Sequence, residues 1–320
     1  MDRKCSNLPE KFSSEVLDTR DITLESVLVI HDIYLVKQWL GKGNFGVVYR
    51  AVDITDEQPV AIKIEKSDAE YSSIKHEVRI MSYLFQHKFK ELPKIHWYGV
   101  QSGFTHLVMC YYEQNFDSLE HISSDHIHQC IRILKSIHEL FVIHRDIKPQ
   151  NFMLRKNKLY LIDYGLATFF MNEEGEHVPN KKQETITGTP KFVSYYNHIG
   201  FTLSRRDDLI SLGYLFIYML LNKSLPWSVD FSTPLVCEKF TNNEGRRPEL
   251  FGQRASVPYS LPTTNSGDSS NALRITKMKS RENISILTSD FSPLHEYMKY
   301  CYTLSYSDEP DYEFLLSLFR

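Results

Sequence analysis

The chain has 320 residues, 42% of them hydrophobic and 13% aromatic, with 37 basic against 40 acidic side chains. That length exceeds the ~100–200 residues of a usual single core and predicts one large domain or two lobes. The apolar fraction excludes wholesale disorder, and a formal net charge of -3 lacks the basic excess of a dedicated nucleic-acid binder.

Five scattered cysteines (Cys5, Cys110, Cys130, Cys237 and Cys301) form no C-x-x-C pair, which argues against a disulfide framework or a zinc site. They fit a reducing, intracellular setting, cytoplasmic or nuclear. The opening M-D-R-K-C-S-N-L-P-E lacks the apolar run of a signal peptide. The longest apolar stretch, Leu209 to Leu221, covers 13 residues. Roughly 20 are needed to span a bilayer, so it reads as a buried core helix and no membrane span is expected.

Residues 1–30 are mixed and polar apart from Val27–Ile30, and are expected to form an N-terminal extension. From Tyr34 the pattern changes. Tyr34-Leu35-Val36 and Trp39-Leu40 lead into glycines, and Val47–Val52 follows, which predicts a hairpin. Val60–Ile64 reads as a third strand. From Ser72 to Phe85, residues Ile74, Val78, Ile80, Met81 and Leu84 fall mostly at helical spacing. Phe104–Tyr112 is strand-like again. Beyond Asn115 the signal turns helical, with Ile131, Ile133, Leu134, Ile137, Leu140 and Phe141 marking one face of a helix over 127–141. Phe152–Leu154 and Leu161-Ile162 are short strands around a turn. The stretch 228–270 is rich in Ser, Thr, Pro, Asn and Gly and reads as a surface insertion. Order is expected to return at Ser292-Pro293-Leu294 and at Glu309-Pro310-Asp311. A β-rich first part followed by a helical second part is an α+β arrangement.

Several strings carry chemistry. Gly41-Lys42-Gly43-Asn44-Phe45-Gly46-Val47-Val48 has the form G-x-G-x-x-G-x-V, whose glycines let backbone N–H groups approach phosphate oxygens. A strand follows these glycines, where a dinucleotide-binding fold would place a helix. Lys63 lies in V-A-I-K. A lone strand lysine is ordinarily a solvated charge, but apolar residues flank this one. Glu77, within the amphipathic helix, is preferred over Glu70 as its counter-ion. His144-Arg145-Asp146-Ile147-Lys148-Pro149-Gln150-Asn151 supplies a carboxylate able to accept a hydroxyl proton, a nearby ammonium and a metal-coordinating amide. Asp163-Tyr164-Gly165 follows Leu161-Ile162, and its carboxylate is a hard oxygen ligand suited to Mg²⁺.

In this order the four motifs resemble a eukaryotic protein kinase. More narrowly, the chain is similar to the casein kinase 1 family through A-I-K-I-E at 61–65, H-R-D-I-K-P-Q-N-F at 144–152 and L-I-D-Y-G-L-A at 161–167. T-G-T-P-K at 187–191, S-R-R-D-D-L-I-S-L-G-Y at 204–214, S-L-P-W at 224–227 and D-E-P-D-Y at 308–312 extend the likeness over about 33–320, apart from the insertion. The resemblance implies a bilobal fold: a small antiparallel-sheet N-lobe with one main helix over 31–113, and a larger helical C-lobe over 114–320.

It also implies a serine/threonine kinase using ATP and Mg²⁺. Gly41, Lys42, Gly43, Asn44, Phe45 and Gly46 would cover the phosphates, and Lys63 would contact them while paired with Glu77. Asp146 would orient the substrate hydroxyl and accept its proton, and Lys148 would neutralise the transferring phosphoryl group. Asn151 and Asp163 would hold Mg²⁺. Thr189 would bridge toward Asp146 and Lys148, and Asp208 would brace the catalytic loop. Val48, Ala61 and the stretch from Met109 to Glu113 would line the adenine pocket, with Met109 and Tyr112 both open as gatekeeper.

Departures from the family pattern bear on substrates. Tyr164 replaces the usual Phe, the usual A-P-E is absent (Ser194-Tyr195-Tyr196-Asn197 lies there), and Glu184 stands where a lysine is common. Protein substrates offering Ser or Thr, in acidic or already phosphorylated contexts, are the implied partners. Lys191 and Lys181 would serve such contexts, or else Lys181, Lys182 and Lys191 are simple solvated charges. Thr185 and Thr187 are positions from which a phosphate would reach Arg145. A pseudokinase scaffold is the alternative from another class, but it would call for loss of Lys63, Asp146, Asn151 or Asp163, and none is missing. A small-molecule kinase fits the 187–227 stretch less well.

Overall fold

The computed structural model describes residues 28–43, 46–67, 72–228 and 268–320, and its strands lie where β-branched and aromatic residues alternate. The first part contains β1 (Val29–Ile30), β2 (Tyr34–Gly43), β3 (Gly46–Asp53), β4 (Pro59–Lys66), α1 (Ser73–Gln86), β5 (Ile95–Gln101) and β6 (Phe104–Cys110). Its six strands form one antiparallel sheet in the order β1-β2-β3-β4-β6-β5. Val29 and Ile30, expected in an N-terminal extension, pair with Leu35 and Tyr34 at the sheet edge. Residues 1–27 of that expected extension lie outside the described residues.

Period-two alternation along β4 sorts its side chains between two faces. Val60 and Ile62 join Ile30, Tyr34, Ala51 and Val108 in a cluster on the outer face. Ala61, Lys63 and Glu65 take the other face, where Ala61 packs against the main core that holds Leu107, Met109 and Ile74. That second face receives α1. The buried Glu65 carboxylate accepts from the hydroxyls of Ser72 and of Ser73 (2.8 Å) and from the backbone N–H of Ile74 (3.1 Å). Ser72 itself caps the helix, accepting from the N–H of Lys75 at 3.1 Å. Anions suit a helix N-terminus, so β4 carries a built-in anchor for α1.

The second part is mainly helical: β7 (Gln114–Asn115), α2 (Ser124–Glu139), β8 (Val142–Ile143), β9 (Phe152–Arg155), β10 (Lys158–Leu161), β11 (Thr168–Phe169), α3 (Tyr195–His198), α4 (Arg205–Leu220), α5 (Asp268–Met278), α6 (Arg281–Thr288), α7 (Ser292–Cys301) and α8 (Tyr312–Ser317). Helix α4 contains the apolar run Leu209–Leu220 and is buried almost all round, as the core helix was expected to be. A capping box starts it, with the Asp207 carboxylate accepting from the Ser204 N–H at 2.8 Å. Phe141, placed on the apolar face of α2 by its spacing, instead follows the helix end with φ +60° and is half exposed. The helix stops at Glu139, so Phe141 leaves the helical register.

Of the expected insertion, residues 229–267 lie outside the described residues, and its last three open α5. Helices α5 and α6 occupy a stretch where the sequence promised order only from Ser292, and Met278, Ile284 and Leu287 bury into the main core. The structure is a bilobal α+β fold. Among the described residues no helix is long and apolar enough to cross a membrane.

Glu65→Ala leaves two hydroxyls and an N–H without their anion. It should destabilise the chain by about 2–4 kcal/mol, read as a lowered urea midpoint.

Candidate active site

The β-strand register brings the first group of candidate residues together. Val48 lies opposite Lys63, and Lys63 opposite Leu107, so the glycine hairpin, the lysine strand and β6 share one face. Gly41, Lys42 and Gly43 end β2, Gly46 opens β3 paired with Gly43, and Asn44 and Phe45 lie outside the described residues. Gly46 is sterically required, because an added Cβ would sit 2.3 Å from the carbonyl oxygen of Ile64. Ala61 pairs with Met109 on this face. Met109 is therefore at the back of the strand surface that carries Lys63. Tyr112 lies beyond β6, its ring 4.9 Å from that of Tyr160.

Lys63 is the hub. Its ammonium donates to Glu77 Oε2 at 2.7 Å and to Asp163 Oδ1 at 2.8 Å. Burial alone would pull the ammonium pKa down, but the two carboxylates outweigh it and hold the group above its ordinary value. Burial raises Glu77, with Lys63 opposing. Asp163 goes the other way: burial would raise it, and Lys63 brings it below the usual carboxylate range. The second oxygen of Glu77 accepts from the N–H of Tyr164 at 3.1 Å, so one glutamate grips both the lysine and the D-Y-G turn. His76, one residue earlier on α1, meets the Ala167 carbonyl at 2.6 Å.

A second cluster forms around Asp146. Its Oδ1 accepts from the N–H (2.9 Å) and hydroxyl (2.7 Å) of Thr189, and its Oδ2 from Lys148 at 2.7 Å. Lys148 also reaches the Thr189 hydroxyl at 3.1 Å. Asn151 donates its amide to the Asp146 carbonyl at 2.8 Å and more weakly to Oδ2 at 3.3 Å. Thr189 is held close by Gly188 (φ +102°), where a Cβ would lie 2.5 Å from the Arg145 carbonyl.

The two clusters are joined through the loop between them. Asp208, fully buried at the start of α4, accepts from the N–H groups of His144 (2.7 Å) and Arg145 (2.9 Å) and pairs with His138 at 3.0 Å. Burial opposes ionisation of Asp208, but the hydrogen bonds from His138 and from the His144 N–H lower it, while burial also lowers His138. His144 is arranged to accept from the Asp146 N–H at Nδ1 (3.3 Å), which assigns the Nε2 proton to the Ile162 carbonyl at 3.0 Å. Arg145 and Asp163 both adopt left-handed backbone angles, φ +68° and +66°. Each is pinned, Arg145 by Asp208 and by its Nε bond to Leu166 O (2.5 Å), Asp163 by Lys63.

Lys63, Glu77 and Asp163 thus meet in one cluster, and Asp146, Lys148, Asn151 and Thr189 in the other. Lys181 and Lys182 are exposed, whereas Lys191 lies 4.0 Å over the Tyr218 ring, and burial lowers its pKa. Sequence reasoning missed His138, whose partners Asp208 and Tyr312 lie far along the chain, and Glu65, whose partners Ser72, Ser73 and Ile74 meet it only once α1 packs on β4. The chain matches the protein kinase domain over residues 34–249 and belongs to that family. The fold is that of a protein kinase, a class that uses ATP and a divalent cation to phosphorylate proteins. Helices α5–α8 lie beyond the matched span and still pack into the same core.

Tyr164 is fully buried, and among the described residues its hydroxyl has no hydrogen-bond partner. Tyr164→Phe should therefore raise Tm, by the equivalent of about 1 kcal/mol. Asp208→Asn should lower it by about 3 kcal/mol, since two buried N–H groups lose their anion.

Proposed function

We propose that this protein kinase is an active serine/threonine kinase of the casein kinase 1 type, working with ATP and Mg²⁺. The observation that carries the reading is the convergence of Lys63, Glu77 and Asp163 in one ion-paired hub beside the Asp146–Lys148–Thr189 network. Donor chemistry supports the cation: Asn151 spends its N–H groups on Asp146, leaving an amide oxygen, and Asp163 keeps its second carboxylate oxygen beside the one that Lys63 holds. When bound, Mg²⁺ would supply charge neutralisation at the phosphates.

The protein's own residues do the rest by positioning and electrostatics. Gly41, Gly43 and Gly46 offer backbone N–H groups to phosphate oxygens. Lys63 presents a permanently charged ammonium, kept in place by Glu77. Asp146 orients a Ser or Thr hydroxyl and accepts its proton, while Lys148 offsets charge on the phosphoryl group as it leaves ATP. Val48, Ala61 and Met109 would frame the adenine, and Met109, opposite Ala61 on β6, suits the gatekeeper role better than Tyr112. Acidic or phosphorylated contexts remain the candidate substrates. Lys181 and Lys182 are exposed enough to meet them, and Lys191, packed over Tyr218, offers its charge from one side only.

The test is phosphate transfer from ATP–Mg²⁺ across a peptide library with acidic, phosphorylated and neutral contexts. Lys63→Met and Asp163→Asn should abolish transfer while each variant still melts cooperatively; retained turnover would overturn the assignment. Asp146→Asn should slow transfer by about a hundredfold or more with little change in ATP affinity. Nucleotide binding without transfer to any peptide would instead favour a scaffold.

A further inference from the structure

Lys279, just after α5, is fully buried, and among the described residues it has no acidic partner. Its ammonium donates to the carbonyl oxygens of Pro190 (3.0 Å) and Val193 (2.7 Å) and meets Nε2 of His198 at 3.1 Å. Three N–H donors thus find three acceptors. The rings of Tyr214 and Trp227 lie 5.0 and 5.3 Å from the ammonium and add cation–π attraction. Burial still pulls the Lys279 pKa well down, and burial together with Lys279 lowers His198 to about 4, so His198 is neutral and able to accept. A buried ammonium without a counter-charge is costly, and an apolar side chain would fill the same space more cheaply. Something other than packing calls for it.

All three acceptors belong to residues 190–198, the segment that follows Thr189. Thr189 is the residue that bonds the Asp146 carboxylate and Lys148. The turn is tight: the N–H groups of Phe192 and Val193 donate to the Thr189 carbonyl at 2.8 and 3.1 Å. Trp227 Nε1 takes the Lys191 carbonyl at 2.8 Å. Lys279 answers the carbonyls on either side of that one. Its own carbonyl accepts from the Tyr302 hydroxyl at 2.6 Å, and that hydroxyl meets Tyr214 at 2.5 Å, which ties the ammonium to α4 and to the end of α7.

We infer that Lys279 is a positioning residue for the protein substrate, bolting the 189–194 loop to the C-lobe core so that the surface beside Asp146 is preformed for the acceptor chain. This rests on the kinase reading of Asp146. Among the described residues, the nucleotide half of the site, built from β2, β3, β4 and α1, makes no hydrogen bond to this loop and should be indifferent to it.

The experiment compares wild type, Lys279→Met and Lys279→Arg in peptide phosphorylation, in ATP affinity and in slow ATP hydrolysis without peptide. Lys279→Met should lower kcat/KM for peptide by about tenfold or more, while ATP affinity and peptide-free hydrolysis stay within about twofold. Lys279→Arg, which can still donate to both carbonyls, should recover much of the loss. Equal losses in all three readouts, or none, would overturn the inference. If Lys279→Met does not fold, His198→Ala carries the test, since it deletes one acceptor only. A rise in peptide KM at unchanged ATP affinity supports the role, and no peptide-specific effect refutes it. A wild-type chain without any transfer would overturn the kinase reading and the inference with it. Wild-type transfer unaffected by Lys279→Met would sink the inference alone.

Discussion

An ammonium taken out of water is costly unless acceptors answer it, and in this chain Lys63 has two carboxylates at 2.7 and 2.8 Å. The carboxylates come from different elements, Glu77 from α1 and Asp163 from the turn after β10. Bringing them together therefore fixes how the helix, the strand and the turn sit against each other. Glu77 extends the constraint by accepting from the Tyr164 N–H. Glu65 supports it from the same strand face: two residues along β4 from Lys63, it holds the first turn of α1. Two residues of strand advance about 6.8 Å, and the three or four helical residues from Ser73 or Ile74 to Glu77 advance about 4.5–6 Å. The two grips thus match in spacing and set both the height and the rotation of the helix.

The catalytic loop depends on a different buried charge. Asp208 lies at the start of a helix that is apolar nearly throughout, and it reaches up to the N–H groups of His144 and Arg145. Its neighbour Asp207 turns away from the loop, accepting from Ser194 at 2.5 Å and from the Ser204 N–H. Adjacent aspartates thus serve two segments, one before the site and one after it. The core of the larger lobe reaches the reacting groups through these few polar bonds, and Lys279, over the Tyr214 ring of the same helix, adds a third such connection.

Much of this was legible in the residues. Strand alternation located β2, β3, β4 and β6, and the buried run Leu209–Leu220 announced α4. Glu77 was preferred to Glu70 because Glu70 precedes the periodic part of the helix, and Glu77 is indeed buried beside Ile74, Ile80 and Met81. Strand β5 was missed because His96, Tyr98 and Val100 point outward at the sheet edge while Gly99 interrupts its pattern. Helices α5 and α6 escaped notice beside a Ser- and Asn-rich stretch, with few apolar residues each. Phe141 misled because the chain reverses immediately after α2. His138 and Lys279 were not recognisable, since their side-chain hydrogen-bond partners lie 70 or more residues away, and Glu65 was not because its nearby partners converge on it only when the start of α1 folds back onto β4.

The central claim is that Lys63 and Glu77 act as one unit in holding nucleotide. A double-mutant cycle of Lys63→Ala and Glu77→Ala, read as the Kd for ATP in the presence of Mg²⁺, tests it directly. The account requires strong coupling, with the double variant binding no more weakly than about the worse single one. Losses that simply add would contradict it.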